Sequence, residues 1–388
     1  MQPVNSAAAT ATDAPVFDKA DLGQVVLVFQ GGGALGAYQA GVFQALQEAG
    51  VDPDWVIGTS IGAINAAIVA GNAPENRLPR LREFWRRMTH SPLLQAAGLA
   101  PGFGAYAANA LTVVSGLTGF FRPNPWAFLG MHTPLGSELA GYYSTSPLEE
   151  TLTELIDPDL LNAGKPRLTV GAAKVQTGEM VYFDSRETPL SVRHVMASGA
   201  LPPAFPAVRI DGDLYWDGGI LSNTPVEAVF DDNPRRSGIV FAVHVWSPNG
   251  PEPDSIWKVL SRQKDLQYSS RAASHIARQK QIHRLRHVIS QLADQLPEAA
   301  RASPEIRDLA GYGCLTRVHV VRLLAPPLER EDHAKDIDFS PSGVRARWDA
   351  GYLDTVRVLA QAPWTAPFDP AEGFLLHEAA AGQMISKP

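Results

Sequence analysis

The sequence predicts an α/β fold in which helices cover both faces of a sheet, giving three layers. Two strand–turn–helix units near the start indicate this. Residues 24–30 form a continuous apolar, β-branched run as long as a buried strand, and a helical pattern over 37–49 follows after a glycine loop. A second apolar run, 54–57, leads into the small, helix-compatible stretch 62–71. Strands that alternate with helices are typical of a parallel sheet.

The second half of the chain predicts further strands and two helices. Residues 238–246 and 317–324 are rich in β-branched residues and are predicted to be strands. A long helical pattern covers 255–296. A final helix is predicted over 340–361, because Ser340 at an N-cap followed by proline is a helix start signal.

These patterns divide the chain into a disordered tail (1–22), a catalytic-type domain (23–248) and a mostly helical C-terminal extension (249–388). Within the first domain, 91–145 is predicted to be an apolar, lid-like insertion. Residues 363–388 are expected to form a loose tail. Residues 1–22 have neither a basic start nor an apolar core, so they predict no signal peptide.

The composition is that of a globular enzyme. The 388 residues carry a net charge of −7, which argues against general nucleic-acid binding. Cys314 is the single cysteine, so a disulfide within the chain is excluded and a reducing compartment is compatible. We expect a cytoplasmic location.

The most informative motif is Gly58-Thr59-Ser60-Ile61-Gly62, a G-x-S-x-G between a predicted strand and a predicted helix. A serine on such a sharp turn is exposed at the carboxyl edge of a sheet, and the glycines let neighbouring backbones approach closely. The following helix N-terminus favours developing negative charge. Ser60 is therefore a candidate nucleophile.

A glycine loop, 31–36, follows the first strand. Its free N–H groups at a helix start form an anion site, for which two uses compete. Gly31, Gly33 and Gly36 satisfy G-x-G-x-x-G and would hold a dinucleotide pyrophosphate, with Asp52 or Asp54 on the ribose. Alternatively, the loop is an oxyanion hole for acyl transfer.

The order of the elements favours the oxyanion hole. A ribose-binding acid should end the second strand, whereas Asp52 and Asp54 precede it and Ser60 follows it. Because parallel strands bring their carboxyl ends to one edge, we expect the glycine loop and Ser60 to meet there.

Asp217-Gly218-Gly219 lies far downstream, at the end of a short aromatic strand pattern over 211–216. A carboxylate fixed in this way would be a general base if it meets Ser60. The alternative interpretation is a surface turn.

Together these motifs resemble the patatin-like phospholipases. Four matches occur in order over residues 24–225: the glycine loop, the G-x-S-x-G, a proline-bearing segment at 197–206 and the D-G-G. The resemblance implies a patatin-type, modified α/β-hydrolase-like sheet and a serine–aspartate dyad that hydrolyses acyl esters without a metal or cofactor. It also implies that Ser60 is the nucleophile and Asp217 the proton acceptor. The implied oxyanion hole is formed by Gly31, Gly32, Gly33, Ala34 and Gly36.

The resemblance extends more weakly into the C-terminal region, around 339–352, which is similar to an extension in a bacterial subgroup of these proteins. One position departs from the family pattern. Leu35 stands where the family usually has a basic residue, so the oxyanion site would depend on backbone dipoles alone. A conventional Ser–His–Asp triad is the alternative to the dyad, with His333 as its best candidate histidine.

Two segments predict contact with lipid. Residues 91–121 carry no charge, and we expect a lid or acyl-chain surface there, with buried core or a membrane span as alternatives. The middle of the long helix, 271–286, is basic, and an apolar stripe at Leu285, Ile289, Leu292 and Leu296 extends beyond it. Such a helix either lies on anionic lipid as a peripheral membrane contact or packs its stripe on the core.

The sequence thus predicts a serine acyl-ester hydrolase that acts on lipid esters. Two alternatives stay open: a catalytically weak lipid-binding scaffold, and a nucleotide-binding oxidoreductase that uses the glycine loop.

Overall fold

The computed structural model describes residues 17, 19–89, 114–130, 132–328, 333–369 and 372–378, and for 270–273 the backbone alone. Most of the predicted tail 1–22, and the part of the apolar segment 91–121 before residue 114, lie outside these ranges.

The strands include those that the sequence predicts at 24–30, 54–57, 211–216, 238–246 and 317–324. They are β1 (Gln24–Phe29), β2 (Trp55–Thr59), β3 (Arg122–Pro123), β4 (Tyr143–Ser144), β5 (Arg167–Lys174), β6 (Met180–Asp184), β7 (Val208–Ile210), β8 (Asp213–Asp217), β9 (Gly238–His244), β10 (Val318–Leu324) and β11 (Phe374–Glu378).

Helices precede, separate and follow these strands. They are α1 (Lys19–Leu22), α2 (Ala37–Glu48), α3 (Ile61–Ala70), α4 (Pro74–Arg87), α5 (Ser146–Leu155), α6 (Pro158–Leu161), α7 (Val192–Ser198), α8 (Glu227–Phe230), α9 (Ile256–Gln295), α10 (Glu298–Arg301), α11 (Pro304–Gly311) and α12 (Pro341–Gln361).

Within the described residues, nine strands form one mixed sheet in the order β11-β10-β9-β1-β2-β5-β8-β7, with β6 also paired to β5. The strands from β11 to β5 in this order run parallel, and β6, β7 and β8 add antiparallel pairs. β3 and β4 form a separate two-stranded ribbon.

Side chains that alternate along β1 enter two different cores, which confirms the three-layer α/β prediction. Val25, Leu27 and Phe29 join the larger core with the apolar faces of α2 and α3. Val26 and Val28 join a second core, where α8 and α9 contribute Phe230 and Ile276. Because successive side chains of a strand point to opposite faces, a strand buried on both faces requires helices on each side.

The C-terminal extension packs directly on the first half of the chain. Helix α12 crosses α2 at two glycines, and a Cβ on Gly41 or on Gly351 would overlap the backbone of the other helix. Ser340 caps α12 as predicted, accepting the N–H of Gly343 at 3.1 Å. Strands β10 and β11 extend the common sheet, so the expectation of a loose tail over 363–388 is wrong for β11.

The apolar stripe predicted for the long helix is not its packed face. Leu285 and Leu292 are 57% and 59% exposed. Ile276, His283 and His287 are buried instead, and both imidazoles donate to the carbonyl of Thr316, at 2.8 and 2.9 Å. Hydrogen bonds to one backbone oxygen thus decide the orientation of α9, and a count of apolar residues did not reveal them.

Candidate active site

Ser60 occupies a strained turn between β2 and α3. Its φ of 58° and ψ of −127° lie in a region that L-residues rarely adopt. The two motif glycines make this turn sterically feasible, because a Cβ on Gly58 would overlap the backbone of Gly62. The local geometry is that of a nucleophile elbow.

Strand β5 brings the second motif to the same edge of the sheet. Thr59, the last residue of β2, pairs with Gly171 of β5, and the next β5 residue, Ala172, pairs with Asp217 at the end of β8. Ser60 therefore follows β2 and Asp217 ends β8, and these two strands lie on either side of β5. The two residues are 157 positions apart in the chain, and the register in which β5 pairs with β2 and with β8 brings them together.

Ser60 and Asp217 line the same cavity, and the Ser60 hydroxyl is close enough to the Asp217 carboxylate to lower its pKa. Asp217 is only 2% exposed, and it accepts the backbone N–H of Gly219 at 2.7 Å. Burial outweighs both influences and raises the pKa of Asp217 to about 6. Gly218 packs against the backbone of Gly171, where a Cβ would not fit.

Ser198 hydrogen-bonds to the turn that carries Ser60, and the sequence analysis assigned it no role. The N–H of Ser60 donates to Ser198 Oγ at 3.0 Å, and that hydroxyl donates to the carbonyl of Gly171 at 2.6 Å. Ser198 lies at the end of α7, within the segment 197–206 that contributes to the family resemblance. The sequence signal was thus present without an assigned function.

The glycine loop reaches the same edge, but two of its N–H groups are already engaged. Gly31 donates to the carbonyl of Asn223 at 3.1 Å, and Ala34 donates to the carbonyl of Asp336 at 2.8 Å. Gly32 and Gly33 line the cavity beside Ser60, and their N–H groups find no acceptor among the residues that the structure describes.

Gly36 serves packing at the start of α2, where a Cβ would collide with the side chain of Ile61. Neither Ala34 nor Gly36 is among the described residues that line the cavity, so Gly32 and Gly33 are the two predicted loop residues that line it without a hydrogen-bonded N–H.

Asn223 connects the D-G-G loop to the glycine loop. Its side-chain amide donates to the carbonyl of Gly31 at 3.1 Å, in addition to accepting the Gly31 N–H on its own carbonyl. The indole of Trp246 donates to the same Gly31 oxygen at 2.8 Å. This double attachment holds the first residue of the glycine loop in register with the loop that follows Asp217.

Ser60 and Asp217 open into a cavity of about 200 Å³. Its described walls are dominated by apolar and aromatic side chains, namely Ile61, Ile64, Phe120, Phe121, Tyr143, Leu201, Phe205 and Phe339. The described part of the predicted insertion 91–145 thus supplies Phe120, Phe121 and Tyr143 to the wall.

The C-terminal extension also contributes Asp336, Ile337 and Phe339 to this cavity. The sequence analysis assigned these three residues no role at the site. No motif marks Asp336 or Ile337, and Phe339 was noted only as part of the weaker C-terminal similarity.

The nucleotide alternative is not supported by the geometry. Asp52 pairs with Arg77 and Asp54 with Lys19, each at 2.6 Å, before β2 begins. They lie at the end of that strand away from the glycine loop. Neither carboxylate is therefore placed to hold a ribose beside that loop.

The triad alternative is not supported either. The ring of His333 packs against Trp257 with centroids 3.9 Å apart and planes tilted by 45°, and no histidine lines the cavity within the described ranges. Leu35 is 4% exposed and lines a separate cavity of about 100 Å³ together with Lys335 and Arg347.

In the described residues, no three histidine, cysteine or acidic side chains cluster closely enough to hold a metal ion. A search of the same residues also finds no helix with the length and apolarity needed to span a bilayer.

The region that one family model matches contains the glycine loop, the G-x-S-x-G and the D-G-G. A family model described as patatin-like phospholipase matches residues 27–230, and another, described as patatin phospholipase, matches residues 266–371. The chain belongs to the patatin-like phospholipase family.

Its curated relatives are longer and distant. Patatin-like phospholipase domain-containing protein 7 from Mus musculus is 25% identical over 223 residues, which cover 58% of this chain and 14% of that protein. Lysophospholipase NTE1 from Meyerozyma guilliermondii is 24% identical over 343 residues, covering 74% of this chain and 20% of the relative. This chain thus spans a small fraction of these relatives.

A bacterial relative and a solved structure complete the comparison. An uncharacterised NTE family protein from Mycobacterium tuberculosis is 24% identical over 206 residues, or 53% of this chain and 45% of that protein. VipD from Legionella pneumophila has a TM-score of 0.36 and 17% identity, covering 87% of this chain and 67% of its own. No argument about the site rests on a likeness of this size.

Proposed function

We propose that this protein hydrolyses acyl esters of lipids by a two-step mechanism in which Ser60 is the nucleophile and Asp217 the general base. The observation that carries the proposal is the proximity of Ser60 to the buried Asp217 carboxylate at the edge of an apolar cavity. A strained serine with an adjacent base is the arrangement that activates a hydroxyl for attack on a carbonyl.

In the first step, Asp217 accepts the hydroxyl proton as Ser60 Oγ attacks the acyl carbonyl. The proton is then delivered to the leaving alkoxide, which departs as an alcohol. In the second step, Asp217 takes a proton from water, whose oxygen attacks the acyl-enzyme, and the proton returns to Ser60 as the carboxylic acid leaves. A pKa of about 6 makes Asp217 a stronger base than a solvated aspartate while it is still ionised at neutral pH.

The N–H groups of Gly32 and Gly33 are the proposed oxyanion donors. They adjoin Ser60 in the cavity, and the neighbouring loop residues Gly31 and Ala34 are held by other acceptors. Preorganised donors of this kind stabilise the charge that develops in the tetrahedral transition state. A basic side chain at Leu35 is not required in this scheme, because two backbone dipoles converge on the site.

The apolar walls favour a hydrocarbon chain as the acyl group. The cavity is smaller than the roughly 300–1,000 Å³ common for drug-sized ligands, so a narrow chain suits it better than a bulky polar headgroup. Burial of such a chain against aromatic side chains is favourable in proportion to the apolar area removed from water.

A lipid surface is the proposed partner of an apolar tip that we define as Trp126, Phe128 and Leu129. These side chains are 59%, 79% and 61% exposed, although nearby Phe121 and Tyr143 line the cavity. Residues 114–137 contain no acid. An exposed aromatic tip continuous with an acyl-chain cavity suits the interface of a membrane, where tryptophan and phenylalanine are favoured.

The test is labelling with a fluorophosphonate, read by intact mass, in wild type and in Ser60→Ala. One adduct in the wild type that is lost in the variant would support an activated Ser60 and justify a lipid-ester screen. A folded wild type that takes no label would contradict the hydrolase proposal and favour a lipid-binding scaffold.

A further inference from the structure

The segment 333–339, which we call the strap, closes one side of the cavity. Asp336, Ile337 and Phe339 line it, although they lie far beyond the residues that carry the catalytic motifs. Phe339 is 2% exposed and packs its ring 6.0 Å from that of Phe120. The strap is thus a built wall of the site.

The strap also contacts the glycine loop through its backbone. The carbonyl of Asp336 accepts the N–H of Ala34 at 2.8 Å. Gly33 has a φ of 56°, and a Cβ there would overlap the same carbonyl oxygen. The position of residue 336 therefore limits where the peptides of Gly33 and Ala34 can lie.

A salt bridge fixes residue 336 to helix α9. The ammonium of Lys264 lies 2.7 and 2.9 Å from the two carboxylate oxygens of Asp336, and it also donates to the carbonyl of His333 at 3.0 Å. One lysine thus holds both ends of a short turn of the strap.

In the neighbouring salt bridge the acid lies on α9 and the lysine on the strap, the reverse of Lys264–Asp336. Asp265 binds Lys335 at 2.7 Å, and Lys335 lies 5.3 Å from the centre of the Trp246 ring, whose indole donates to Gly31. A shift of the strap by one residue would bring one pair of like charges together, either Lys264 with Lys335 or Asp265 with Asp336. The two pairs therefore fix the register of the strap on α9.

We infer that the Lys264–Asp336 salt bridge positions the oxyanion loop from the C-terminal extension. The inference rests on the proposed function and adds to it. Lys264 is a positioning residue: it orients the Asp336 carbonyl, which orients Ala34 and the two preceding donors. It also neutralises a carboxylate in the cavity wall that would otherwise oppose the developing oxyanion.

The experiment measures kcat and KM on a short, soluble p-nitrophenyl ester, together with the rate of Ser60 labelling by fluorophosphonate. The variants are Asp336→Asn, Lys264→Met and Lys264→Arg. Lys258→Met is the matched control, because Lys258 lies on α9 like Lys264 and forms an exposed ion pair with Asp254, which precedes the helix. Thermal unfolding is recorded for each variant.

We expect kcat to fall about tenfold in Asp336→Asn, with a smaller change in KM, because displaced donors weaken the transition state more than substrate binding. The kcat of Lys264→Met should be lower still, since this change leaves Asp336 charged and without its lysine partner. Lys264→Arg should restore most of the rate, and the double variant Lys264→Met/Asp336→Asn should be no slower than Lys264→Met.

An unchanged kcat and labelling rate in folded Asp336→Asn, beside an active wild type, would overturn this inference alone. An equal loss in Lys258→Met would overturn it too, since that change does not touch the strap. A wild type with neither hydrolysis nor label would remove the proposed function and this inference together.

Discussion

Ser60 and Asp217 line one cavity, and no histidine is among the described residues that line it with them. The carboxylate is almost completely buried, which raises its pKa to about 6. In the proposed mechanism the buried aspartate takes the part that histidine has in a triad, because loss of hydration moves its basicity toward that of imidazole.

The pH dependence of hydrolysis should follow Asp217. Its ionised form is the proposed base, so kcat/KM should be half-maximal near pH 6 and fall about tenfold for each pH unit below it. His333→Gln should leave this profile unchanged, since that ring packs against Trp257 and does not line the cavity. Stopped assays from pH 4.5 to 8.5 measure the profile. A midpoint that moves in His333→Gln would contradict the dyad.

Asp217→Asn should abolish hydrolysis and stabilise the fold at pH 8. The pKa of Asp217 is about 6 in the folded protein against 3.8 for the free group. The native state therefore binds more protons between these values, and stability falls as pH rises from about 4 to 6. The loss above pH 6 is about 3 kcal/mol.

Asparagine carries no charge and removes this loss, so the advantage of the variant should appear at pH 8 and shrink toward pH 4. Urea unfolding at both pH values, with wild type as the reference, measures the difference. A variant that is less stable than wild type at pH 8 would show that burial of the charge is not the dominant cost.

Leu35→Lys should destabilise the protein without increasing its rate. Leu35 is buried and shares a cavity with Lys335 and Arg347, so a third cation there would be desolvated and repelled. We expect a loss of about 3 kcal/mol in the free energy of unfolding. Leu35→Met, which conserves volume, is the control and should cost less than about 1.5 kcal/mol. A lysine variant that is stable and faster would contradict this explanation.

Trp126→Ala/Phe128→Ala should weaken binding to vesicles and leave hydrolysis of a soluble short ester unchanged. Both side chains are exposed, so their loss removes apolar contact with lipid and little packing within the protein. Co-sedimentation with phosphatidylcholine vesicles, with and without phosphatidylglycerol, measures binding. The control is Leu309→Ala/Tyr312→Ala, which removes two residues of 59% and 66% exposure from another surface. If both double variants lost vesicle binding equally, the tip would not be a specific lipid contact.

Local patterns predicted the catalytic edge of the sheet well. The runs around β1 and β2 and the helix start at Ser340 depend on neighbours in the chain, and the structure places them within about one residue of expectation. The contact between Ser60 and Asp217 was also expected, although its cause was not. It depends on antiparallel pairing of β8 with β5, which no local pattern specifies.

Contacts between distant segments were the part that the sequence did not reveal. The sequence analysis assigned no role to Ser198 or Asp336, and both act through hydrogen bonds to distant backbone groups. The buried side of α9 was not predicted for a similar reason. Two histidines that donate to one carbonyl lie on that side, whereas Leu285 and Leu292 of the apolar stripe are exposed, so the alternative of packing the stripe on the core is wrong for them.

Strand β9 lies between β1 and β10, although the first matched family region ends at residue 230. A fragment cut at that boundary would leave β1 as an open sheet edge and expose one flank of Gln24–Phe29 to pairing with other molecules. The region that the first family model matches is therefore shorter than the part of the chain that forms the sheet. Expression of residues 1–230 alone should yield aggregates, whereas the full chain keeps that edge covered.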